Sequence, residues 1–122
     1  MTSQVNILIV DDTLLARAML RKFVTKTKPN WQLLEAKDGN DALMKVNGKS
    51  IDVALIDYNM PGMTGLDLGR RLRERFPNII MALVTANIQD YIADEARSLG
   101  IAFISKPVDE EKIVKFISGL EA

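Results

Sequence analysis

The stretch Asp52-Val53-Ala54-Leu55-Ile56-Asp57-Tyr58-Asn59-Met60-Pro61-Gly62 decides how this chain is read. From Asp52 to Ile56 it is a short apolar run with no clean polar alternation, so the strand it forms is buried on both faces. It then breaks at Asp57 and passes into Met60-Pro61-Gly62, a turn. A strand apolar on both faces belongs in a parallel sheet covered by helices. Outward from it, similar runs occur at Val5 to Val10, Trp31 to Ala36, Ile79 to Val84 and Ala102 to Ile104.

Segments with helical spacing lie between these runs. Their apolar stripes are Leu15, Met19 and Phe23 with Ala18 on the same side; Ala42, Leu43 and Val46; Leu68, Leu72 and Phe76; Ile88, Tyr91, Ile92, Ala96 and Leu99; and Ile113, Phe116, Ile117 and Leu120. Pro29-Asn30, Gly48-Lys49, Pro77-Asn78 and Gly100 punctuate the boundaries. Gly100 stands where a helix C-terminal glycine belongs, and Asp109 is placed to cap the last helix. The pattern predicts five βα units forming an α/β, doubly wound, five-stranded parallel sheet. With no linker, repeat or low-complexity segment, one domain over residues 1–122 is expected, with no output domain after the last helix. At 122 residues roughly two-thirds of the unfolded surface can be buried, enough for a self-sufficient core.

Composition narrows the chemistry. There is no His and no Cys. That excludes a disulfide framework, thiolate or imidazole metal sites, and Ser-His or Cys-His nucleophiles. The 16 basic and 16 acidic residues balance, which gives no general attraction to nucleic acid or to an anionic membrane. The start Met1-Thr2-Ser3-Gln4 lacks a signal-peptide layout, and no apolar run is long enough for a bilayer span, so a cytoplasmic location is expected.

In an open parallel sheet the site lies at the carboxyl ends of the strands, where strand order reverses. The first strand ends in Asp11-Asp12, the second near Lys37-Asp38, the third in Asp57, the fourth in Thr85 and the fifth in Ser105-Lys106-Pro107. Asp11, Asp12 and Asp57 converge with a hydroxyl and a Lys. Such carboxylates repel unless a cation sits among them, and oxygen-only donors suit Mg²⁺, Mn²⁺ or Ca²⁺. The set describes a site for a phosphoryl group on or near a carboxylate, held by metal, Lys106 and Thr85. Asp57, ending the central strand, is the best candidate to carry the group covalently, with Asp11 and Asp12 as the metal-holding pair.

Four elements, Ile9-Val10-Asp11-Asp12, Ile56-Asp57-Tyr58-Asn59-Met60-Pro61-Gly62-Met63-Thr64-Gly65, Val84-Thr85-Ala86 and Ser105-Lys106-Pro107, come in this order at this spacing. Over nearly all its length the chain resembles the receiver domains of two-component response regulators, and is similar to the single-domain chemotaxis type. The resemblance implies a (βα)5 flavodoxin-like three-layer sandwich. It implies that Asp57 accepts a phosphoryl group from a phosphohistidine on a histidine kinase or histidine phosphotransfer protein, as in a phosphorelay. Mg²⁺, with Mn²⁺ as an alternative, would be held by Asp12, Asp57 and the backbone carbonyl of Asn59, with Asp11 acting through a metal-bound water. Thr85 and Lys106 would contact the phosphoryl group, the Lys106-Pro107 bond would be cis, and Phe103 would be the aromatic switch.

The resemblance also implies that a face including Tyr91, Asp94, Glu95, Phe103, Lys112, Lys115 and Phe116 changes its affinity for a downstream protein. The protein would be a monomer, with phosphorylation-dependent dimerisation open, and no enzyme beyond self-phosphorylation and self-dephosphorylation. Phe103 stands where many relatives have Tyr, so a switch needing a phenol hydroxyl is excluded. Asn59 and Asn87 flank the path of attacking water and are expected to tune self-dephosphorylation.

Simpler readings stand beside these. Asp12 could cap the first helix, with Thr13 beside it. Lys106 could be a solvated turn residue, and Phe103 plain core packing. Arg70, Arg71, Arg73 and Arg75 read as a solvated helix face with Glu74 rather than a nucleic-acid patch. Trp31 reads as a partly buried packing residue. The rival functions are a Mg²⁺-dependent phosphohydrolase using an aspartyl intermediate, a nucleotide- or flavin-binding domain, and an unphosphorylated interaction module on the same fold. The phosphohydrolase lacks a carboxylate two residues after Asp57. The nucleotide reading lacks a Gly-rich loop after the first strand, where Asp11-Asp12-Thr13-Leu14 would repel phosphate.

Overall fold

The computed structural model describes residues 4–86 and 89–120. Strands and helices alternate throughout: β1 (Asn6–Val10), α1 (Leu14–Thr27), β2 (Gln32–Ala36), α2 (Gly39–Lys45), β3 (Val53–Asp57), α3 (Gly65–Arg75), β4 (Ile80–Thr85), α4 (Asp90–Ser98), β5 (Ala102–Ser105) and α5 (Glu110–Gly119). All strand pairs are parallel, in the order β2-β1-β3-β4-β5. The chain begins at β1, steps outward to β2, then crosses back over β1 to β3. That reversal opens a crevice between the ends of β1 and β3.

Alternating side chains on each strand serve two separate cores. Ile7, Ile9, Leu55 and Val84 face Leu20, Val24, Ile113 and Ile117 of α1 and α5. Leu8, Val10, Ile56 and Leu83 face Leu68, Leu72, Ile92 and Ala96 of α3 and α4, with Ala42 of α2. The result is the expected three-layer sandwich. Every residue of β3 is buried, whereas β2 and β5, at the sheet edges, stay partly open. Burial on both faces therefore describes β1, β3 and β4 rather than every strand, because an edge strand is covered less fully by the helices.

Local chemistry sets the helix starts. Thr13, Asp38, Thr64 and Asp109 each accept a backbone N–H of the first turn, and Thr64 with Asp67 closes a reciprocal capping box. Asp12 does not cap α1; Thr13 does, which removes the simple reading of Asp12. Gly100, at φ +72, turns the chain out of α4 as expected.

Two stripes differ from expectation. Leu15 and Met19 lie outside the core, 73% and 43% exposed, while α1 buries Leu20 and Val24. Both pairs have helical spacing, and an offset of one residue rotates a stripe by about 100°. Periodicity alone does not say which pair faces the sheet. Tyr91 is likewise exposed, and α4 is anchored through Ile92 and Ala96. Ile88 and Asn87 lie outside the described residues. The arginines of α3 are more than a solvated face. Arg70 pairs with Asp67 and with Glu95 of α4, and Arg73 donates to the carbonyls of Leu99, Pro77 and Ile79.

Candidate functional site

Strand register brings the predicted residues together. Val10 pairs with Ile56, so Asp11 and Asp57 leave adjacent strands at the same level. Asp57 pairs with Val84, one residue before Thr85, and Thr85 pairs with Ser105, one residue before Lys106. Asp57 and Thr85 are thus the last residues of β3 and β4, held in the sheet rather than in the loops beyond it. Lys106 N–H donates to the Thr85 carbonyl at 3.0 Å, carrying the sheet pattern one step further.

Carboxylate oxygens of Asp11, Asp12 and Asp57 all lie within 4.8 Å of one another. Asp11 and Asp57 are buried and Asp12 is exposed. The Asp11 carboxylate is oriented by its own loop: Oδ1 accepts from Thr13 N–H at 2.9 Å and from Thr13 Oγ1 at 3.1 Å. Lys106 Nζ sits 3.0 Å from Asp57 Oδ1. That is a charge-assisted contact, and among the described residues no other donor reaches the buried Oδ1. Burial pushes the Asp57 carboxyl above the usual carboxylate range. Lys106 opposes the rise, and Asp11 and Asp12 add to it.

A buried carboxylate beside two more carboxylates, in a chain with no His or Cys, is chemically suited to a hard divalent cation. Asp11, Asp12 and Asp57 are the residues that could hold it. Asn59, exposed in the loop two residues beyond Asp57, carries the expected fourth oxygen.

The shape of the site depends on a glycine. A Cβ on Gly65 would stand 2.3 Å from the Asp57 carbonyl oxygen and 2.9 Å from the Tyr58 Cα. Its absence lets α3 start directly against the end of β3, where Gly65 N–H donates to the Tyr58 carbonyl at 2.9 Å. Phe103 is half-buried. It packs against the core under α4 and also lines a cavity of about 320 Å³ with Ser105, Lys112, Lys115 and Phe116. The core-packing reading of this residue holds, and its other side faces the cavity between β5 and α5. The Lys106-Pro107 bond is cis, as expected.

Sequence reasoning missed Arg17. Its guanidinium donates to the Asp11 carbonyl at 2.7 Å and pairs with Glu35 at 3.4 Å, its side chain only 16% exposed. It stands under the loop that carries both β1 acids. Its sequence signal is faint, a single basic residue on the sheet-facing side of an amphipathic helix.

Comparison with known proteins identifies the class. The chain belongs to the response regulator receiver domain family, whose profile matches residues 7–118. It is 38% identical over 107 residues to the cyclic di-GMP phosphodiesterase response regulator RpfG of Xanthomonas campestris, covering 84% of this chain and 28% of that protein. It is 35% identical over 116 residues to the chemotaxis protein CheY of Pseudomonas aeruginosa, covering 89% of this chain and 93% of that one. Against the response regulator UvrY of Escherichia coli it is 28% identical and spans 52% of the relative's length. The chain thus spans about a quarter to a half of the multidomain-length relatives and nearly all of the chemotaxis protein.

Solved structures share the fold. The chemotaxis protein CheY4 of Vibrio cholerae superposes with a TM-score of 0.86 at 24% identity, covering 96% of this chain and 98% of that one. A CheY-like receiver domain from Methanospirillum hungatei superposes at 0.88 with 23% identity, covering 97% and 94%. Receiver domains are phosphorylation-dependent signalling switches rather than classical enzymes, and they act with phosphodonors and downstream targets. No helix among the described residues is long and apolar enough to cross a membrane.

Proposed function

We propose that Asp57 is the phosphoacceptor of this receiver domain and that it takes its phosphoryl group from a partner phosphohistidine. The carrying observation is the buried Asp57 carboxylate, which meets the Lys106 ammonium at 3.0 Å and shares its crevice with Asp11 and Asp12. In the transfer, an Asp57 carboxylate oxygen forms the new P–O bond. The P–N bond to the donor imidazole breaks, and its electron pair leaves with the ring nitrogen. The chain contains no His, so the imidazole comes with the partner.

The chain's own residues act by position and charge. Asp11, Asp12, Asp57 and the Asn59 carbonyl would hold Mg²⁺ or Mn²⁺, which offsets charge on the transferring group when bound. Lys106 neutralises the same group from the other side. Thr85, buried at the end of β4, supplies a hydroxyl to a phosphoryl oxygen once Asp57 is modified. The added charge, up to about two units, then biases the face formed by α4, β5 and α5 toward a second arrangement with different partner affinity. Phe103 is the side chain on that face nearest the site in sequence. Asn59 and Asn87 tune the return to the unmodified state. With this reading goes the expectation of a cytoplasmic location and of a monomer, phosphorylation-dependent dimerisation remaining open.

Incubation with acetyl phosphate and Mg²⁺, followed by intact mass measurement, tests the acceptor. Wild type gains one phosphoryl group and Asp57→Asn gains none. An unmodified wild type, or equal gain on the variant, refutes the assignment. Multiple-turnover release of phosphate from small esters would favour the hydrolase reading instead.

A further inference from the structure

Lys112 has a position that helix electrostatics disfavour. Asp109 caps α5, so Lys112 is the third residue of the helix, at the positive end of the helix dipole. The two residues before it, Glu110 and Glu111, suit that end. Lys112 instead folds its cation back onto the β5–α5 turn. Its Nζ lies 3.0 Å from the Ser105 carbonyl, 3.2 Å from Ser105 Oγ and 2.8 Å from the Pro107 carbonyl. An ammonium has three donors, and here three neutral oxygens take them.

Those oxygens bracket one residue. Ser105 and Pro107 are the neighbours of Lys106, whose own N–H is held by Thr85. Backbone on both sides of Lys106 is therefore tied to α5 through one side chain, and Lys106 itself is tied to β4. From this fixed turn its side chain extends to 3.0 Å from Asp57 Oδ1. The Lys106 side chain is 37% exposed and reaches Asp57 from this turn, so its aim depends in part on where the backbone starts.

We propose that Lys112 is a positioning residue: it clamps the Ser105-Lys106-Pro107 turn and thereby aims Lys106 at the phosphoryl site on Asp57. The inference rests on the acceptor reading above. It assigns Lys112 a role inside the protein, in place of one as a charge presented to a partner. Lys112 touches neither the reacting atoms nor the acid cluster, so its effect must pass through Lys106.

That route makes the test specific. Phosphorylation by acetyl phosphate with Mg²⁺ is followed by intact mass in wild type, Lys112→Met, Lys112→Gln and Lys112→Arg, and again for Lys112→Met in a Lys106→Gln background. Lys49→Met, in the loop before β3, controls for loss of one positive charge. Melting temperatures check that each variant is folded. Loss of the clamp is expected to slow phosphorylation about tenfold, the scale of a sub-ångström misplacement. Lys112→Arg recovers part of the rate, and Lys49→Met keeps it. In the Lys106→Gln background the same Lys112→Met change has less than a twofold effect, because the group it aims is gone. A wild-type rate in Lys112→Met, or an equal slowing in both backgrounds, overturns the inference while leaving Asp57 as acceptor. A wild type that gains no phosphoryl mass overturns the acceptor reading and this inference with it.

Discussion

Asp57→Asn is expected to make the metal-free protein more stable. The three acid side chains have oxygens within 4.8 Å of one another. At that separation and an effective dielectric constant near 20, each like-charge pair costs about 3.5 kcal/mol. Asp57 takes part in two such pairs, about 7 kcal/mol together on the same basis. Against this stands Lys106 at 3.0 Å, worth about 5.5 kcal/mol at the same dielectric constant. Asp12 and Lys106 both reach solvent, so both sums shrink by screening. Burial of the Asp57 charge remains on the unfavourable side. An Asn of the same shape removes the charge, and the net gain is about 1–2 kcal/mol. For a chain of this size that raises the melting temperature by roughly 4–8 °C.

The assay is thermal unfolding by circular dichroism in EDTA at pH 7.5, wild type against Asp57→Asn. Mg²⁺ should then close the gap. At ten times its Kd, a cation that binds only the folded wild type adds about 1.4 kcal/mol, and the variant, having lost a ligand, gains less. The pH dependence has a definite sign. Asp57 has its folded-state pKa raised, chiefly by burial, so the folded state holds this proton more tightly than the unfolded chain. Its contribution to stability is fully present below the ordinary carboxylate range and is lost as pH rises through the raised value. In EDTA the advantage of Asp57→Asn therefore opens with rising pH and closes in acid. An Asp57→Asn protein that melts at or below wild type in EDTA at pH 7.5 refutes the picture of an acid cluster whose repulsion Lys106 offsets only in part.

Three further outcomes follow from particular contacts. Gly65→Ala drives a methyl into the Asp57 carbonyl oxygen and Leu83 Cδ1, at 2.3 and 2.9 Å; it should cost about 2–3 kcal/mol in urea unfolding and slow phosphorylation, because the obstacle is largely backbone that cannot step aside. Arg17→Met removes the donor to the Asp11 carbonyl; calorimetric Mg²⁺ affinity should fall about tenfold, the usual scale for groups that orient ligands. Arg70→Met cuts the tie to Glu95, whose partners are both over 40% exposed; a worth below about 1 kcal/mol predicts amide exchange in α4 faster by up to fivefold, with β1 and β3 unchanged.

The fold was legible because its signals are redundant. The central strands are runs of branched apolar residues, most gaps carry Gly, Pro or Asn, and parallel βα alternation leaves few topologies. What periodicity could not decide was the phase of a helix with two apolar rows. In α1, Leu15 and Met19 compete with Leu20 and Val24, and only the tertiary packing of the second pair against Ile7 and Ile9 resolves the choice. The acids, Thr85 and Lys106 were legible for a related reason. A candidate residue at or just past the end of a strand inherits its position from the sheet register, so finding the strand finds the residue. Arg17 and Lys112 have no such anchor. Both lie on helices and act through backbone oxygens, Arg17 on Asp11, and Lys112 on Ser105 and Pro107. A carbonyl is present at every position whatever the side chain, so nothing in the sequence marks the one that is used. The site thus divides into a part encoded by residue type at strand ends and a part encoded by where helices set down long cations. The second part became visible only in three dimensions.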